Sequence, residues 1–198
     1  NRNRYRRSID IGANIGLHTI VMSLCGMMVK SYEPDPYHIA ILKDNIERNK
    51  VAQQVQLHEA AVSGQAGKST FIRVLGNTTG SHLKEAKTGA YGELEEFDVD
   101  VAGIRSLLKG VDLAKIDAEG EEARILTATE DHDWDTLDAV VEVGSRENAF
   151  AIFDHFSSTC VNLIAQKKGW EQVKSPEEIP QSYREGSLFI TKKKSMPW

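Results

Sequence analysis

The chain has 198 residues, of which 40% are hydrophobic, 27% charged and 7% aromatic. This composition is typical of one soluble globular domain and excludes disordered, collagenous and coiled-coil proteins. Lys and Arg number 24 against 29 Asp and Glu, so the formal net charge of −5 disfavours nucleic acid as a partner. Because domains of this size are common, we expect a single domain over residues 1–198.

The cysteines and the apolar runs bear on the compartment. Cys25 and Cys160 form no CxxC or Cys/His cluster, so the sequence predicts neither a disulfide framework nor a zinc site. The longest apolar run starts at Ile20 and is interrupted by Ser23 and Gly26, which makes it too short to span a bilayer. We therefore expect a cytoplasmic protein with no signal peptide and no membrane partner.

Short apolar runs alternate with amphipathic stretches along the chain, which indicates a parallel sheet flanked by helices. The predicted strands are 8–12, 28–33, 55–59, 111–117, 137–143, 170–174 and 187–192. The predicted helices are 15–25, 36–49, 120–129 and 148–168. The second of these helices has its own start signal, since Asp35 suits an N-cap and Pro36 suits the first turn.

One segment, residues 62–103, breaks the alternation. Two β-rich runs, 71–74 and 97–101, flank a stretch rich in Gly, Thr, Ser and Lys, which predicts a β-hairpin insertion at about residues 68–101. The loop at 76–82 is either an active-site lid or a plain hairpin excursion. We expect contacts with a substrate from residues 78–92 and from the region after Glu142.

Acidic residues occur at the carboxyl ends of five predicted strands, where ligands of open parallel sheets bind. These residues are Asp10, Glu33, Glu59, Asp117 and Glu142. Carboxylates are rarely placed in a protein core without partners, so burial alone does not explain the pattern. The acids therefore indicate a cationic or hydroxyl-rich ligand.

Gly12 and Gly16 bracket a tight strand-to-helix turn in which a ligand can approach the backbone. The turn lacks the third glycine of the dinucleotide fingerprint and the Lys-Ser/Thr of a P-loop, which disfavours pyrophosphate and triphosphate ligands. Asp10 would repel a phosphate but suits an ammonium group, and Glu33 stands where a carboxylate commonly takes both ribose hydroxyls. S-adenosylmethionine has an ammonium, a sulfonium and a ribose diol but no phosphate.

Four motifs together resemble the FkbM family of S-adenosylmethionine-dependent methyltransferases. In chain order they are Asp10-Ile-Gly-Ala-Asn-Ile-Gly16, Tyr32-Glu-Pro-Asp-Pro36, Ala60-Ala-Val-Ser63 and Lys115-Ile-Asp-Ala-Glu-Gly-Glu-Glu122. The resemblance covers roughly residues 8–145. Lys-Ile-Asp-x-Glu-Gly is its most distinctive part, whereas the glycine motif is shared by many methyltransferases.

The resemblance implies an α/β class I methyltransferase fold, which is a Rossmann-like three-layer sandwich. Its sheet would have seven mostly parallel strands, with the last strand antiparallel. The implied reaction is O-methylation of a hydroxyl on a sugar, a polyketide or another small metabolite. Family members often carry a substantial segment before the first strand, and they often have Asn where this chain has Glu59.

The resemblance also implies where S-adenosylmethionine, and S-adenosylhomocysteine as product, would bind. The methionine end would contact the turn, the ribose would contact Glu33, the adenine would lie near Pro34, Glu59 and Ala60, and Asp117 would lie beside the methyl group. The turn residues concerned are Asp10, Gly12, Ala13, Asn14 and Gly16.

Methyl transfer is an in-line displacement that benefits from alignment and from a general base. A buried carboxylate with a raised pKa suits that role, and we nominate Asp117, with Glu119 and Glu142 as second choices. Lys115 is expected to pack or pair on the other side of the strand from Asp117. Asp117 and Glu142 could also hold a divalent metal, although two acids that face solvent or cofactor are favoured and no metal is predicted.

Three alternatives remain open. A NAD-dependent oxidoreductase on a Rossmann-like sheet is opposed by the missing third glycine and by Glu59 and Asp117. An RNA 2′-O-methyltransferase is favoured by Arg2, Arg4, Arg6 and Arg7 at the start of the chain, but the net charge opposes it and a solvated terminus also explains them. A binding module with a degenerate cofactor pocket is the non-enzymatic alternative. The favoured partner is a small-molecule hydroxyl acceptor.

Overall fold

The computed structural model of the protein describes residues 5–76, 80–86 and 92–194. The strands are β1 (Arg7–Ile11), β2 (Met28–Tyr32), β3 (Val55–His58), β4 (Ala61–Ser63), β5 (Gly67–Val74), β6 (His82–Leu83), β7 (Leu94–Gly103), β8 (Leu113–Ile116), β9 (Asp138–Val141), β10 (Asn162–Ala165), β11 (Glu171–Gln172) and β12 (Leu188–Thr191). The helices are α1 (Leu17–Leu24), α2 (Pro36–Arg48), α3 (Ile104–Leu107), α4 (Glu122–Thr127) and α5 (Arg146–Ser157). The described ranges also contain five short 3₁₀ helices, which are Ala52–Gln54, Asp131–Asp135, Gln166–Lys168, Pro176–Glu178 and Tyr183–Glu185.

The main sheet has eight strands in the order β11-β10-β12-β9-β8-β1-β2-β3. The strands from β3 to β9 in this order run parallel, and β12 lies antiparallel to both β9 and β10. The predicted reversal of the last strand is therefore confirmed. Strand β1 lies between β2 and β8, so the order of the strands reverses there, which is where ligands bind in open α/β sheets.

The predicted count of seven strands is wrong, because the predicted helix 148–168 spans a helix and a strand. Helix α5 ends at Ser157, and Ser157 and Thr159 donate hydrogen bonds back to the carbonyls of Asp154 and Phe156. Hydroxyl side chains that bond the last turn in this way compete with further helix. The buried run that follows forms β10, and the predicted strand 170–174 is the two-residue edge strand β11 paired with it.

The predicted hairpin insertion is present as β5 and β7, which pair antiparallel over eight residues from Gly67↔Val101 to Val74↔Leu94. Strands β4 and β6 extend it to a second sheet in the order β4-β7-β5-β6. The predicted lid, 76–82, and the predicted acceptor loop, 78–92, include residues 77–79 and 87–91, which lie outside the described residues. Arg2 and Arg4 also lie outside them.

The two faces of the main sheet are covered by different helices. On β1, Ile9 and Ile11 are buried in the largest apolar cluster together with Ile125 of α4 and Ile152 of α5. The alternate residue Asp10 points to the opposite face, where it accepts a hydrogen bond from Thr19 of α1. This alternation gives the expected three layers. In the described ranges, no helix is long and apolar enough to cross a membrane.

The turn after β1 depends on the absence of two side chains. Gly12 has a φ of 72°, and a Cβ built on it would lie 1.8 Å from the backbone carbonyl oxygen of Asp117. Gly16 has a φ of 96°, and its Cβ would lie 2.3 Å from Cδ1 of Leu42. Gly12 is therefore required by close packing against backbone as well as by its left-handed conformation, whereas Gly16 is required mainly by its left-handed conformation. The turn is consequently held against the end of β8.

Replacing Gly12 by alanine separates the steric requirement from the backbone requirement. Gly169 is a matched control, since its φ is 73° and no atom lies within 4 Å of a built Cβ. We expect Gly169→Ala to lower the free energy of unfolding by about 1 to 2 kcal/mol from left-handed strain alone. Gly12→Ala should lower it by about 4 kcal/mol or more, because backbone atoms must separate. Urea unfolding measures both, and equal losses would contradict the close approach.

Candidate active site

A cleft opens beyond the carboxyl ends of β1, β2 and β8, and the inserted sheet forms its other wall. Its empty space, including the part open to solvent, is about 650 Å³. The residues that line it are Ile11, Gly12, Asn14, Tyr32, Glu33, Pro34, His38, Ala61, Val62, Phe71, Ser81, Leu83, Asp117, Ala118, Glu119 and Glu121. None of these described lining residues is Lys or Arg, whereas four are carboxylates.

Glu33 follows β2 and is held rigidly by the backbone around it. Its Oε2 accepts a hydrogen bond of 2.7 Å from the backbone N–H of Asn14, and its Oε1 accepts one of 2.9 Å from that of Asp35. The residue is only 3% exposed. An ionised carboxylate has about four acceptor sites, so Glu33 keeps acceptor capacity beyond its two backbone hydrogen bonds. The position and acceptor capacity of Glu33 thus suit a diol.

His38 on α2 lies beside this carboxylate. Its Nδ1 is 3.5 Å from Oε1 of Glu33 and 3.9 Å from Oδ2 of Asp35. The interaction with Glu33 is the main cause that raises the pKa of His38 above its ordinary value of 6.5, against the opposing effect of burial. The charges of Glu33 and Asp35 act in the same direction as that interaction. When His38 is protonated, its charge compensates part of the negative charge at this end of the cleft.

Lys115 on β8 lies beneath the glycine turn. Its Nζ donates a hydrogen bond of 2.8 Å to the carbonyl of Gly12 and lies 3.3 Å from Oδ2 of Asp117 and 3.5 Å from Oδ1 of Asp10. Burial lowers the pKa of Lys115, but the charges of the two aspartates outweigh it and the pKa is raised. The prediction that Lys115 lies on the other side of the strand from Asp117 is wrong, because side chains two residues apart share a face.

The acids of the Lys115–Glu122 motif have different roles. Glu121 is 1% exposed and accepts hydrogen bonds from Oγ of Ser63 at 2.5 Å and from Arg124 at 3.0 Å. Glu122 is equally buried, and it accepts hydrogen bonds from the backbone of the motif itself and from Asn148. Burial raises the pKa of Glu122. These two glutamates hold the loop in shape, and Asp117 and Glu119 of the same motif line the cleft.

Six of the predicted site residues line the cleft together: Gly12, Asn14, Glu33, Pro34, Asp117 and Glu119. Asp117 is less enclosed than expected, since 30% of its side chain is exposed and it is paired with Lys115. The expectation of a buried carboxylate at this position is therefore wrong. Its place at the end of β8 agrees with the prediction.

The other predicted site residues lie outside the lining. Asp10 is fully buried beneath the turn, where Thr19 donates a 2.6 Å hydrogen bond to it. Glu59 is exposed and pairs at 2.7 Å with Lys43. The remaining members of this group are Ala13 and Gly16, which pack near Leu42, Ala60, which packs against the main core, and Glu142, which follows β9. Among the described residues, no group of three or more His, Cys, Asp or Glu side chains could hold a metal ion.

Sequence reasoning predicted contacts from residues 78–92, which include Ser81 and Leu83, but it missed Phe71 in the wall that the inserted sheet contributes. Three residues of this wall line the cleft: Phe71 on β5, Ser81 directly before β6 and Leu83 on β6. They are far from the glycine turn in sequence, and no motif connects them to it. Phe71 and Arg73 are two residues apart in a predicted strand, and this spacing was the available signal that their side chains share a face.

The raised pKa of His38 predicts how stability depends on pH. A group whose pKa is higher in the folded state stabilises the fold fully below its unfolded pKa of about 6.5, and this stabilisation is lost as the pH rises through the folded pKa. The wild type should therefore exceed His38→Gln in free energy of unfolding most at acidic pH. Urea unfolding at a series of pH values tests this, with the exposed His18→Gln as control. A difference that grows as the pH rises would contradict it.

Comparison with known proteins agrees with the resemblance that the motifs carry. A family model described as the methyltransferase FkbM domain matches residues 10–171. The chain is 30% identical over 165 residues to the 31-O-demethyl-FK506 methyltransferase FkbM of Streptomyces tacrolimicus, which covers 67% of this chain and 62% of that protein. It is 27% identical over 197 residues to Methyltransferase 1 of Beauveria bassiana, covering 87% of this chain and 75% of that protein.

A solved structure of a methyltransferase FkbM from Methylobacillus flagellatus KT shares the fold. The match has a TM-score of 0.52 at 14% identity and covers 94% of this chain and 43% of the other. The chain thus spans less than two thirds of the Streptomyces and Methylobacillus proteins. The family match extends over most of the chain and includes the glycine turn, Glu33 and the Lys115–Glu122 motif. The chain belongs to the FkbM family of methyltransferases.

Proposed function

We propose that this domain transfers a methyl group from S-adenosylmethionine to a hydroxyl oxygen of a small molecule. The observation that carries the proposal is the cleft at the switch between β1 and β8, where Glu33 is held by two backbone N–H groups. Membership of a methyltransferase family supports the reaction class. The absence of Lys and Arg among the described lining residues disfavours ligands with phosphate groups.

The lining residues fit this cofactor chemically. Glu33 would accept hydrogen bonds from the ribose diol, and Gly12 and Asn14 would border the methionine end. Apolar side chains, among them Pro34 and Val62, would flank the adenine. When bound, the cofactor supplies a methyl group activated by its sulfonium. The carboxylates of the cleft favour a cationic group in their neighbourhood.

Asp117 is the residue proposed to receive the proton of the acceptor hydroxyl. Its carboxylate lines the cleft at the end of β8, and Lys115 beneath it restrains its position at 3.3 Å. A general base must lie within hydrogen-bond reach of the proton that it takes, which favours a lining residue over one outside the cleft. Glu119 meets this condition and is the second candidate. Glu142 is outside the lining and is the weakest of the three.

The proposed acceptor is a small hydroxylated molecule such as a sugar, a polyketide or another metabolite. The Streptomyces relative is named for methylation of 31-O-demethyl-FK506, which supports a hydroxyl oxygen as the acceptor atom. The acidic, largely apolar cleft also disfavours RNA, since none of its described lining residues is Lys or Arg and four are carboxylates. We therefore propose neither nucleic acid nor a membrane as partner.

Ligand binding tests the cofactor. Isothermal titration should show that S-adenosylhomocysteine binds to the wild type and that NAD does not. Glu33→Gln should weaken binding of S-adenosylhomocysteine by about tenfold or more, because a charged acceptor of hydrogen bonds is lost. The exposed Glu171→Gln is the control and should bind as the wild type does. Binding of NAD alone would indicate an oxidoreductase, and binding of neither ligand would indicate a degenerate pocket.

Methyl transfer tests the base. A panel of hydroxylated sugars and macrolides, including 31-O-demethyl-FK506, is assayed with radiolabelled S-adenosylmethionine to find an acceptor. With that acceptor, Asp117→Asn should lower kcat by about 10² to 10⁴ fold, which is the usual contribution of a general base. Glu142→Gln is the comparison and should retain most of the rate. A large loss in Glu119→Gln with little change in Asp117→Asn would instead assign the base to Glu119.

A further inference from the structure

Arg73 on β5 reaches from the inserted sheet to the start of α2. Its Nε donates a hydrogen bond of 2.9 Å to Oδ2 of Asp35, and its Nη2 donates to Oδ1 of the same carboxylate. The Asp35 side chain is 0% exposed and that of Arg73 is 19% exposed. Such a bidentate pair restricts both position and orientation, since the planar guanidinium matches the carboxylate at two points. The inserted sheet is thus fixed to the end of the helix beside the cleft.

The inserted sheet also holds Arg73 from the other side. Its Nη1 donates a hydrogen bond of 2.6 Å to Oε2 of Glu95 on β7, and its guanidinium carbon lies 4.9 Å from the centre of the Phe97 ring. A cation over an aromatic face is attracted to it, and the planar group stacks there. These contacts within the inserted sheet orient the Arg73 guanidinium towards Asp35.

Asp35 transmits this restraint to the carboxylate in the cleft. Its backbone N–H donates the 2.9 Å hydrogen bond to Oε1 of Glu33, and its Oδ1 accepts a 2.8 Å hydrogen bond from the N–H of Tyr37. His38 lies between the two acids, 3.5 Å from Glu33 and 3.9 Å from Asp35. Without Arg73, Asp35 would be a buried charge that lacks its bidentate partner, which is an unfavourable state for a buried carboxylate. A shift of Asp35 would move the donor on which Glu33 depends.

We propose that Arg73 is a positioning residue for Glu33, so that the inserted sheet is a working part of the cofactor site. The inference rests on the proposed function, in which Glu33 binds the ribose diol. The contacts run without a break from the sheet to the cleft, through Arg73, Asp35 and Glu33. The other oxygen of Glu33 is held independently by Asn14. Loss of Arg73 should therefore misalign one side of the carboxylate and weaken recognition of the diol in particular.

A pair of ligands measures recognition of the diol. S-adenosylhomocysteine carries both ribose hydroxyls, and S-(2′-deoxyadenosyl)homocysteine lacks one of them. Isothermal titration of both is carried out on the wild type, Arg73→Met, Arg73→Lys and Lys84→Met. Lys84 is the matched control, because its exposed pair with Glu96 joins strands of the same inserted sheet without contacting the network.

The wild type should bind S-adenosylhomocysteine more tightly than the deoxy compound. Arg73→Met should weaken the binding of S-adenosylhomocysteine by about tenfold, in line with the loss of one charged hydrogen bond. It should weaken the binding of the deoxy compound by much less. The ratio of the two dissociation constants, which measures the preference for the diol, should then fall towards one. Arg73→Lys should restore part of it, since it keeps the charge without the fork. Lys84→Met should leave both affinities unchanged.

Equal weakening of both ligands in Arg73→Met would overturn the inference, because it would show a general structural role. Should Arg73→Met fail to fold, Arg73→Lys decides alone: a preference reduced by about threefold supports the inference, and an unchanged one overturns it. A wild type that does not bind S-adenosylhomocysteine overturns the proposed function instead. That result is distinguishable, since it appears before any variant is compared.

Discussion

The close approach of the turn after β1 to the end of β8 is the constraint on which the candidate site depends. No side chain fits between Gly12 and the backbone of Asp117, and Lys115 bonds the carbonyl of Gly12 from below. The N–H groups of Gly12 and Ala13 both donate to the carbonyl of Tyr32 at the end of β2. Three strand ends are thereby tied together by backbone groups, and Asp117 and Glu33 are carried into one cleft.

Buried acids are costly unless each has partners, and the partners explain their arrangement. Asp10 is placed near Lys115 and bonded to Thr19, and Asp35 is paired with Arg73. These acids hold the frame, while Glu33 and Asp117 keep acceptor capacity in the cleft. The acids near the cleft are therefore divided between those that have structural partners and those that suit a cationic, hydroxyl-bearing ligand.

Local sequence signals predicted most of the elements near the site, and their limits are physical. The helix from Pro36 was found from its N-cap and proline, and the short buried strands from apolar runs. The prediction of one helix over residues 148–168 was wrong because a short apolar run can form a helix or a strand. The pairing of β10 with β12 decides between them, and that contact is not visible in the local sequence. The predicted position of Lys115 was wrong because Lys115 and Asp117, which are two residues apart on a strand, were assigned to opposite faces. The pair of Arg73 with Asp35, 38 residues apart, has no local signal at all.

The inserted sheet shows why an element outside the shared motifs still belongs to the site. The glycine turn, Glu33 and Asp117 are all carried by the main sheet, and each follows directly from a strand end. Phe71 and Leu83 close the cleft from the opposite side, and Arg73 on the same sheet is anchored to Asp35. Phe71 and Arg73 are two residues apart on β5, which pairs with β7 over eight residues. A wall of the cleft and the anchor to Asp35 therefore belong to the same strand.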